Sequence, residues 1–281
     1  MSAVTGSADT LVDPPSGEGV PKLSVRELVK TLVTTSGESF VAVDRVSFDV
    51  AHGEFVCLIG PTGSGKTAIL NVLAGLERPT SGLALIDGRP IDAPGPDRAV
   101  LFQEPALFPW LTVLGNVELA LRLRGTPAAE RHERAMSSLQ QLGLELFRGA
   151  QPHELSAGMR QRAAIARALA ADPDVLLADE PFAQLDAQAR ELLQQEVQRF
   201  WLSSARRKTF VFVTHNVREA ALLADRVLVM SAAPGSLLEE VRIHTSRPRE
   251  LDDVLVSRVV NELHELLMGE VDKHVAREMG R

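Results

Sequence analysis

GPTGSGKT, at residues 60–67, specifies more of this protein's structure than any other segment of the chain. It follows a continuous apolar run, FVCLI at 55–59, and it opens a segment with helical periodicity that begins at Lys66. Glycines let successive backbone amides point into one concavity, and the following helix adds the partial positive charge of its N-terminus. The order strand, glycine-rich loop and helix therefore predicts a binding loop for the phosphates of a nucleotide.

The side chains of this loop have separate predicted parts in phosphate binding. Lys66 is placed to reach the outer phosphates, and Thr67 offers a hydroxyl group to Mg²⁺. The backbone of the remaining residues supplies amide donors to the phosphate oxygens. The nucleotide-contacting set predicted from the loop is Gly60, Pro61, Thr62, Gly63, Ser64, Gly65, Lys66 and Thr67.

A second apolar run, VLLADEP at 175–181, ends in two adjacent carboxylates. Asp179 is placed to hold Mg²⁺ through water, and Glu180 is placed to orient and deprotonate an attacking water molecule. A base beside the metal ligand, with no acceptor-substrate motif in the chain, favours nucleotide hydrolysis over transfer of phosphate to another substrate. The sequence thus predicts a hydrolase that uses ATP and Mg²⁺.

Continuous apolar runs recur along the chain, separated by segments with helical periodicity. A continuous run suits a strand that is covered on both faces, as in a parallel sheet. Helical spacing at 66–76, with Leu76 on the apolar face, and at 159–170 places helices between such strands. The pattern predicts an α/β fold with a doubly wound parallel sheet. The other continuous runs are 175–178, 210–213 and 226–230.

The β-like runs stop over residues 105–153, where helical spacing predicts a helical insertion into the α/β core. Beyond it, residues 252–268 predict one amphipathic helix, and packing on the core or on a partner helix are both open. Residues 1–21 are rich in glycine, serine and proline, which predicts a flexible tail. The apolar positions of the C-terminal helix are Leu255, Val259, Leu263 and Leu266.

The composition limits where this chain works and what it binds. The 281 residues carry a net charge of −7, which argues against a protein that coats nucleic acid. No run of about 18 apolar residues predicts a transmembrane helix, and the N-terminus does not resemble a signal peptide. The single cysteine, Cys57, fits a reducing compartment. We therefore expect a cytoplasmic location, with any membrane role exerted through a partner.

LSAGMRQR, at 155–162, resembles the signature motif of the ABC ATPases. The rest of the chain resembles that family in order, over about residues 22–245. Gln103 in LFQE resembles the Q-loop, Asp186 with Leu185 in AQLDA resembles the D-loop, and His215 in VTHNVREA resembles the switch histidine. The resemblance implies a P-loop NTPase core with a parallel sheet and an N-terminal antiparallel β part. It also implies a helical subdomain at about 104–165 and a helical tail at 246–281.

The family resemblance also implies a role for each matching residue. Two ATPase subunits would close head to tail over two ATP molecules, so a homodimer is expected. Ser156 and Gly158 would cap the γ-phosphate of the partner's ATP, where a helix N-terminus is a suitable anion site, and Asp186 would communicate across the dimer. The implied catalytic groups are Glu180, His215 and Gln103, and the implied Mg²⁺ ligands are Thr67, Gln103 and Asp179.

FQEPALFPWLTVLGNV at 102–117 resembles the importers of the nitrate, sulfonate and taurine group, as do APGS at 233–236 and RPRE at 247–250. That group implies a separate transmembrane permease, a periplasmic or lipid-anchored solute-binding protein, and a peripheral position at the cytoplasmic face of the membrane. Phe108 and Trp110 are then candidates for the surface that receives the permease. Ordinary subdomain core is the alternative for both side chains.

Four positions raise questions about activity. Ala157 stands where the signature motif has glycine, and Asn216 replaces the aspartate that usually follows the switch histidine. Leu32 stands where the ABC ATPases have an aromatic residue that stacks on adenine. Phe40 is a candidate substitute for that aromatic ring. We expect a working ATPase with weaker ATP binding. A regulatory subunit that only binds ATP, an exporter subunit and a soluble ABC ATPase are the alternatives.

Overall fold

Two β-sheets frame the molecule within residues 19–34, 36–203 and 207–279, which are the residues that the computed structural model describes. The first sheet has four strands in the order β2-β1-β4-β5, and every neighbouring pair is antiparallel. It confirms the N-terminal antiparallel part that the family resemblance implies. Its strands are β1 (Leu23–Val33), β2 (Ser39–Val50), β4 (Ser81–Ile86) and β5 (Arg89–Pro90).

The second sheet has six strands in the order β10-β9-β3-β8-β7-β6. Neighbours from β9 to β6 are parallel, and β10 is antiparallel at the edge. The predicted continuous apolar runs all form strands of this sheet, which confirms the parallel α/β core. The strands are β3 (Phe55–Ile59), β6 (Arg98–Leu101), β7 (Val175–Asp179), β8 (Thr209–Val213), β9 (Arg226–Met230) and β10 (Leu237–Arg242).

The helix α1 (Lys66–Ala74) packs between the two sheets. Successive side chains of β3 alternate between two buried clusters, since a strand points its side chains to opposite faces. Val56 and Leu58 join the cluster that holds α1 and the antiparallel sheet. Phe55 and Ile59 join the cluster formed with the remaining helices. Both faces of the parallel sheet are therefore covered, which is why β3, β7, β8 and β9 are mostly apolar.

Between β6 and β7 the described chain forms helices and turns but no strand, as the sequence predicts. The boundary proposed at about residue 165 for the helical subdomain lies inside α4. The helices that follow α1 are α2 (Val113–Leu123), α3 (Ala128–Gln141), α4 (Ala157–Ala170), α5 (Ala187–Ser203), α6 (Val217–Leu223) and α7 (Val254–Met279).

The helix predicted over 66–76 ends two residues early, and the assignment of Leu76 to its buried face is wrong. Gly75 adopts a left-handed conformation with φ 76°, and its N–H donates to the Val72 carbonyl, which closes the helix. Leu76 lies beyond this cap and is 49% exposed. A glycine that follows the last turn of a helix is a common stop, so the signal was present in the sequence.

The C-terminal helix α7 packs on the core and is longer than the 252–268 predicted. Val256 and Leu263 are completely buried in the same cluster as the face of the parallel sheet that carries Phe55. Leu255 is half exposed, so its assignment to the buried face is wrong. Of the helices that the structure describes, none combines the length and apolarity needed to cross a membrane. Most of the predicted N-terminal tail, residues 1–18, lies outside the described residues.

Candidate active site

The glycine-rich loop runs from the carboxyl end of β3 into α1. Gly63 and Gly65 have positive φ values of 81° and 80°. A Cβ atom at Gly65 would lie 2.4 Å from Val43 Cγ2 and 2.8 Å from the Ala42 carbonyl oxygen. Only glycine fits there, because a side chain would meet both strain and a clash. The antiparallel sheet thus supports the loop from behind.

Lys66 is the first residue of α1 and is 6% exposed, and its side chain reaches back to the loop. Its Nζ donates to the Gly60 carbonyl at 2.9 Å, the Pro61 carbonyl at 2.8 Å and Ser64 Oγ at 3.0 Å. Burial lowers the pKa of Lys66, and the nearby carboxylates of Glu180 and Asp179 oppose that shift. The cation is held by neutral acceptors, which are weaker partners than phosphate oxygens.

Thr67 and Asp179 meet across the site, since Thr67 Oγ1 donates to Asp179 Oδ1 at 3.2 Å. Burial raises the pKa of Asp179; the Thr67 hydrogen bond opposes the shift, Glu180 adds to it, and Lys66 opposes it. A hydroxyl and a carboxylate are hard oxygen ligands that suit Mg²⁺. The described residues contain no group of three or more His, Cys, Asp or Glu side chains that could hold a metal ion. A Mg²⁺ ion held here would need phosphate or water oxygens as well.

Gln103, the third predicted Mg²⁺ ligand, lies two residues beyond the end of β6. The parallel pairing of Leu101 with Ala178 brings the ends of β6 and β7 to the same edge of the sheet. Gln103 therefore emerges beside Asp179, with an exposed side chain. The structure places it at the site without a direct contact to Thr67 or Asp179 among the described hydrogen bonds.

Glu180 and His215 form the second close contact of the site. His215 Nδ1 lies 3.0 Å from Glu180 Oε2. The register of β7 and β8 explains this contact, because the two strands are parallel neighbours and Asp179 pairs with Val213. Glu180 has φ 44°, which is unusual for a residue other than glycine, and its N–H donates to the Val213 carbonyl at 2.9 Å. Such strain costs on the order of 1–3 kcal/mol and concentrates at functional sites.

The signature segment and the D-loop form a separate cluster. Ser156 caps α4, with its Oγ accepting from the Met159 N–H at 3.2 Å. Gly158 lies against α5, where a Cβ atom on it would stand 3.4 Å from Ala189 Cβ. Asp186 Oδ1 accepts from the Ala189 N–H at 2.8 Å. The described contacts of Ser156, Gly158 and Asp186 thus lie within this cluster. The cluster around the phosphate loop is a different one, and it consists of Lys66, Thr67, Asp179, Glu180 and His215.

Leu32 and Phe40, the two positions considered for adenine stacking, are direct partners across β1 and β2. Residues directly opposite in an antiparallel pair share one face of the sheet. The Phe40 side chain is 44% exposed on that face. An aromatic ring therefore stands beside the leucine, which fits the predicted substitution of Phe40 for the missing ring.

One residue that touches the loop was not predicted as part of the site. A Cβ atom on Gly235 would lie 2.0 Å from the Ser64 carbonyl oxygen. The Gly235 N–H donates to the Ala42 carbonyl at 2.9 Å, so this glycine packs between the antiparallel sheet and the phosphate loop. Its segment, 233–236, was noted in the sequence only for its resemblance to importers. A glycine beside a proline gave no signal of this long-range contact.

The loop that carries Phe108 and Trp110 has a hydrogen-bonded backbone and an exposed tip. The fully buried Asn116 accepts from the Phe108 N–H at 2.8 Å and donates to the Phe108 carbonyl at 3.2 Å. The two rings lie 5.3 Å apart, and the Arg167 guanidinium covers Phe108. Trp110 is 71% exposed, so the alternative that it belongs to the subdomain core is wrong.

Comparison with known proteins gives consistent matches. The sequence matches the ABC transporter family over residues 43–183. A taurine import ATP-binding protein of Mesorhizobium japonicum is 49% identical over 211 residues, which cover 75% of this chain and 81% of that protein. A nitrate import ATP-binding protein of Synechocystis sp. is 43% identical over 222 residues, covering 79% and 82%.

A solved structure gives the same result for the fold. It is a dimeric ATP-binding cassette in a post-hydrolysis state, bound to ADP and phosphate, with a TM-score of 0.69 and 32% identity. The match covers 81% of this chain and 99% of that one. The family match spans the phosphate loop, the signature segment and Glu180.

Proposed function

Because the chain belongs to the ABC transporter family and has the fold of its ATP-hydrolysing cassette, we propose that it drives an importer. The importer takes up a small anionic solute of the nitrate, sulfonate or taurine type through a separate permease. The observation that carries this proposal is the identity of 43% and 49% to nitrate and taurine import ATP-binding proteins. A periplasmic or lipid-anchored protein delivers the solute, and this chain lies peripherally at the cytoplasmic face.

ATP binds with its phosphates in the loop 60–67. Lys66 exchanges its neutral acceptors for oxygens of the β- and γ-phosphates, which form stronger, charge-assisted hydrogen bonds. Backbone amides at the start of α1 contact the same phosphates, where the helix dipole favours negative charge. Thr67 and Asp179, with Gln103, hold Mg²⁺, which when bound neutralises charge on the phosphates.

Hydrolysis uses the contact between Glu180 and His215. Glu180 accepts a proton from water as the water oxygen bonds to the γ-phosphorus and the bond to the ADP oxygen breaks. With its proton on Nδ1, His215 donates to Glu180 Oε2 and orients that carboxylate. In the doubly protonated imidazolium, Nε2–H also donates to an oxygen of the γ-phosphate. The strained backbone at Glu180 aims this side chain at the site.

The separation of the two clusters supports a dimer of this chain. The groups around Lys66 can hold ATP in one subunit, whereas Ser156 and Gly158 lie at the N-terminus of a different helix. That terminus is an anion site, and in our proposal it meets the γ-phosphate bound to the partner subunit. Two copies then close head to tail over two ATP molecules. Ala157 adds only one methyl group in the first turn of α4.

The exposed ring of Trp110 is the proposed contact with the permease. It is positioned by Phe108 and by the buried Asn116, and it lies a few residues beyond Gln103 in the chain. A large exposed aromatic side chain on a rigid support is typical of an interface anchor. In our proposal Gln103 senses the nucleotide, so this segment links permease contact to the ATP state.

Solute uptake by the native host tests the import proposal. We expect disruption of this gene to abolish uptake of one radiolabelled anion from a panel of nitrate, taurine, an alkanesulfonate and bicarbonate. The wild-type gene should restore uptake, and a gene carrying Glu180→Gln should not. Unchanged uptake of all four solutes, or a loss of efflux instead, would contradict the proposal.

The Trp110→Ala variant separates docking from hydrolysis. We expect it to fail to restore uptake while the purified protein keeps its ATP affinity and thermal unfolding midpoint, because the exposed ring adds little to folding. Leu146→Ala, at a side chain that is 82% exposed on the same helical insertion, is the matched control and should restore uptake. Full uptake with Trp110→Ala would remove Trp110 from the docking surface.

A further inference from the structure

An ion pair between a half-buried arginine and a buried glutamate lies behind the contact between Glu180 and His215. Arg190 Nε is 3.6 Å from Glu219 Oε1, and only 5% of the Glu219 side chain is exposed. Arg190 stands near the start of α5, which follows the D-loop, and Glu219 stands in the first turn of α6, which follows His215. The pair therefore joins the two segments that leave the site after β7 and β8.

The Glu219 end of the pair fixes the backbone on both sides of His215. Thr214 Oγ1 donates to Glu219 Oε2 at 2.6 Å. Thr214 Oγ1 also accepts from the Asn216 N–H at 3.0 Å. Asn216 Nδ2 lies a further 3.5 Å from Glu219 Oε1. The residue before His215 and the residue after it are thus tied to one buried carboxylate.

The Arg190 end fixes the backbone that follows Glu180. Its Nε donates to the Phe182 carbonyl at 3.3 Å, and Nη2 donates to the Leu185 carbonyl at 2.9 Å. Both carbonyls lie within the turn between Glu180 and Asp186. One guanidinium therefore holds the segment after the base and also faces the carboxylate that holds the histidine.

We propose that Arg190 and Glu219 are positioning residues that fix the distance between His215 and Glu180, and so set the rate of hydrolysis. This proposal rests on the proposed roles of Glu180 and His215. Neither residue of the pair touches the phosphate loop in the described contacts, so nucleotide binding does not depend on them. The pair acts on the catalytic step by keeping the 3.0 Å contact in place.

Burial makes it costly to leave the Glu219 carboxylate without its partner. Burial raises the pKa of Glu219, while the Thr214 hydrogen bond, Arg190 and His215 oppose the shift and Glu180 adds to it. Removal of Arg190 leaves the buried Glu219 carboxylate with less compensating charge, which is destabilising. We expect the segment 214–216, which is hydrogen bonded to that carboxylate, to shift in response. Movement of about 1 Å at a catalytic group can reduce turnover by about 10²-fold.

Steady-state ATP hydrolysis by Glu219→Gln is the first test. This variant keeps the size of the side chain and an acceptor for Thr214 but loses the ion pair. We expect kcat to fall by about 10- to 100-fold, with KM for ATP within about twofold of the wild-type value. Arg190→Lys should retain more activity than Arg190→Gln, because lysine preserves the charge but cannot reach both carbonyls.

The second test asks whether the loss acts through His215. In a protein that already carries His215→Ala, we expect Glu219→Gln to cause no further loss of kcat. A merely structural role would lower kcat by the same factor in both backgrounds. That result would overturn the proposal.

The matched control is a buried ion pair at the opposite end of the sheet. Glu54 Oε1 is 2.9 Å from Arg226 Nε, with both side chains largely buried. Glu54 lies just before β3, and the phosphate loop begins just after β3. The five residues of the strand therefore separate Glu54 from the phosphate loop by roughly 16 Å. Glu54→Gln should lower the thermal unfolding midpoint without changing kcat per folded protein.

A readout independent of hydrolysis keeps this proposal separate from the proposed function. The imidazole ¹⁵N shifts of His215, assigned by their absence in His215→Ala, report whether Nδ1 is hydrogen bonded. We expect that bond in the wild-type protein and its loss in Glu219→Gln and Arg190→Gln. Unchanged shifts would overturn the proposal even if the wild-type protein hydrolyses ATP. Loss of the bond in both variants would support a positioning role for Arg190 and Glu219, even if the wild-type protein does not hydrolyse ATP and the proposed function fails.

Discussion

Glu180→Gln protein is expected to bind Mg²⁺-ATP with wild-type affinity and to hydrolyse it about 10² to 10⁴ times more slowly. Glutamine has the same shape and still accepts a hydrogen bond from His215, so the site keeps its geometry. It cannot remove a proton from water, because an amide oxygen is a far weaker base than a carboxylate. The phosphate loop and its Lys66 contacts are untouched.

Release of phosphate from ATP, measured in single-turnover conditions, gives the chemical step directly. Glu145→Gln, a conservative change in the helical insertion, is the control and should match the wild-type protein. Equal turnover by Glu180→Gln would remove Glu180 from the role of general base. A large loss of ATP affinity would show instead that the carboxylate is needed for binding.

Lys66→Ala protein is expected to lose nucleotide binding itself. Its ammonium group is buried beside Asp179 and Glu180, so its removal leaves two carboxylates facing the phosphates. A hydrogen bond to a charged group contributes about 1.5–3 kcal/mol, equivalent to roughly a 10- to 150-fold loss of ATP affinity. Repulsion between the carboxylates and the phosphates adds to that loss.

Isothermal titration of ATP in the presence of Mg²⁺ measures this effect. Lys208→Ala is the matched control, because Lys208 pairs with Asp172 away from the phosphate loop. It should bind ATP like the wild-type protein. Wild-type affinity in Lys66→Ala would show that the loop amides alone hold the phosphates, which contradicts the binding mode proposed above.

The parallel core was predictable from the sequence because its strands are apolar on both faces. The runs 55–59 and 226–230 match β3 and β9 residue for residue. The strand β1 was not identified from its residues, since register shifts near Glu27, with φ 45°, break the alternation of its side chains. The alternation of Val46, Phe48 and Val50 with polar residues does predict a half-exposed strand, which is part of β2. The antiparallel sheet as a whole was predicted only through the family resemblance.

The two close contacts of the site were predictable for a topological reason. Asp179, Glu180 and His215 follow neighbouring parallel strands, whose carboxyl ends meet at one edge of a sheet. The contacts of Gly235 with the phosphate loop and of Arg190 with Glu219 have no such rule. They join segments that are distant in the chain, and each depends on the packing of a loop rather than on strand order.

Asn216 shows what the structure adds to a departure from the family pattern. Its Oδ1 caps α6 by accepting from the Arg218 N–H at 3.0 Å, which aspartate could also do. Its Nδ2 faces Glu219, where aspartate would place a second carboxylate beside a buried one. Asparagine therefore retains the helix cap and avoids a repulsion between like charges.

Sedimentation velocity of Glu180→Gln protein with Mg²⁺ and ATP tests the central claim most directly. Slow hydrolysis preserves the γ-phosphate, so the two clusters can close around it from opposite subunits. We predict a monomer without nucleotide and a dimer with Mg²⁺-ATP, while the double variant Lys66→Ala/Glu180→Gln remains a monomer. Protein that binds ATP yet stays monomeric at every concentration would contradict closure of the Ala157-containing signature over a partner's ATP.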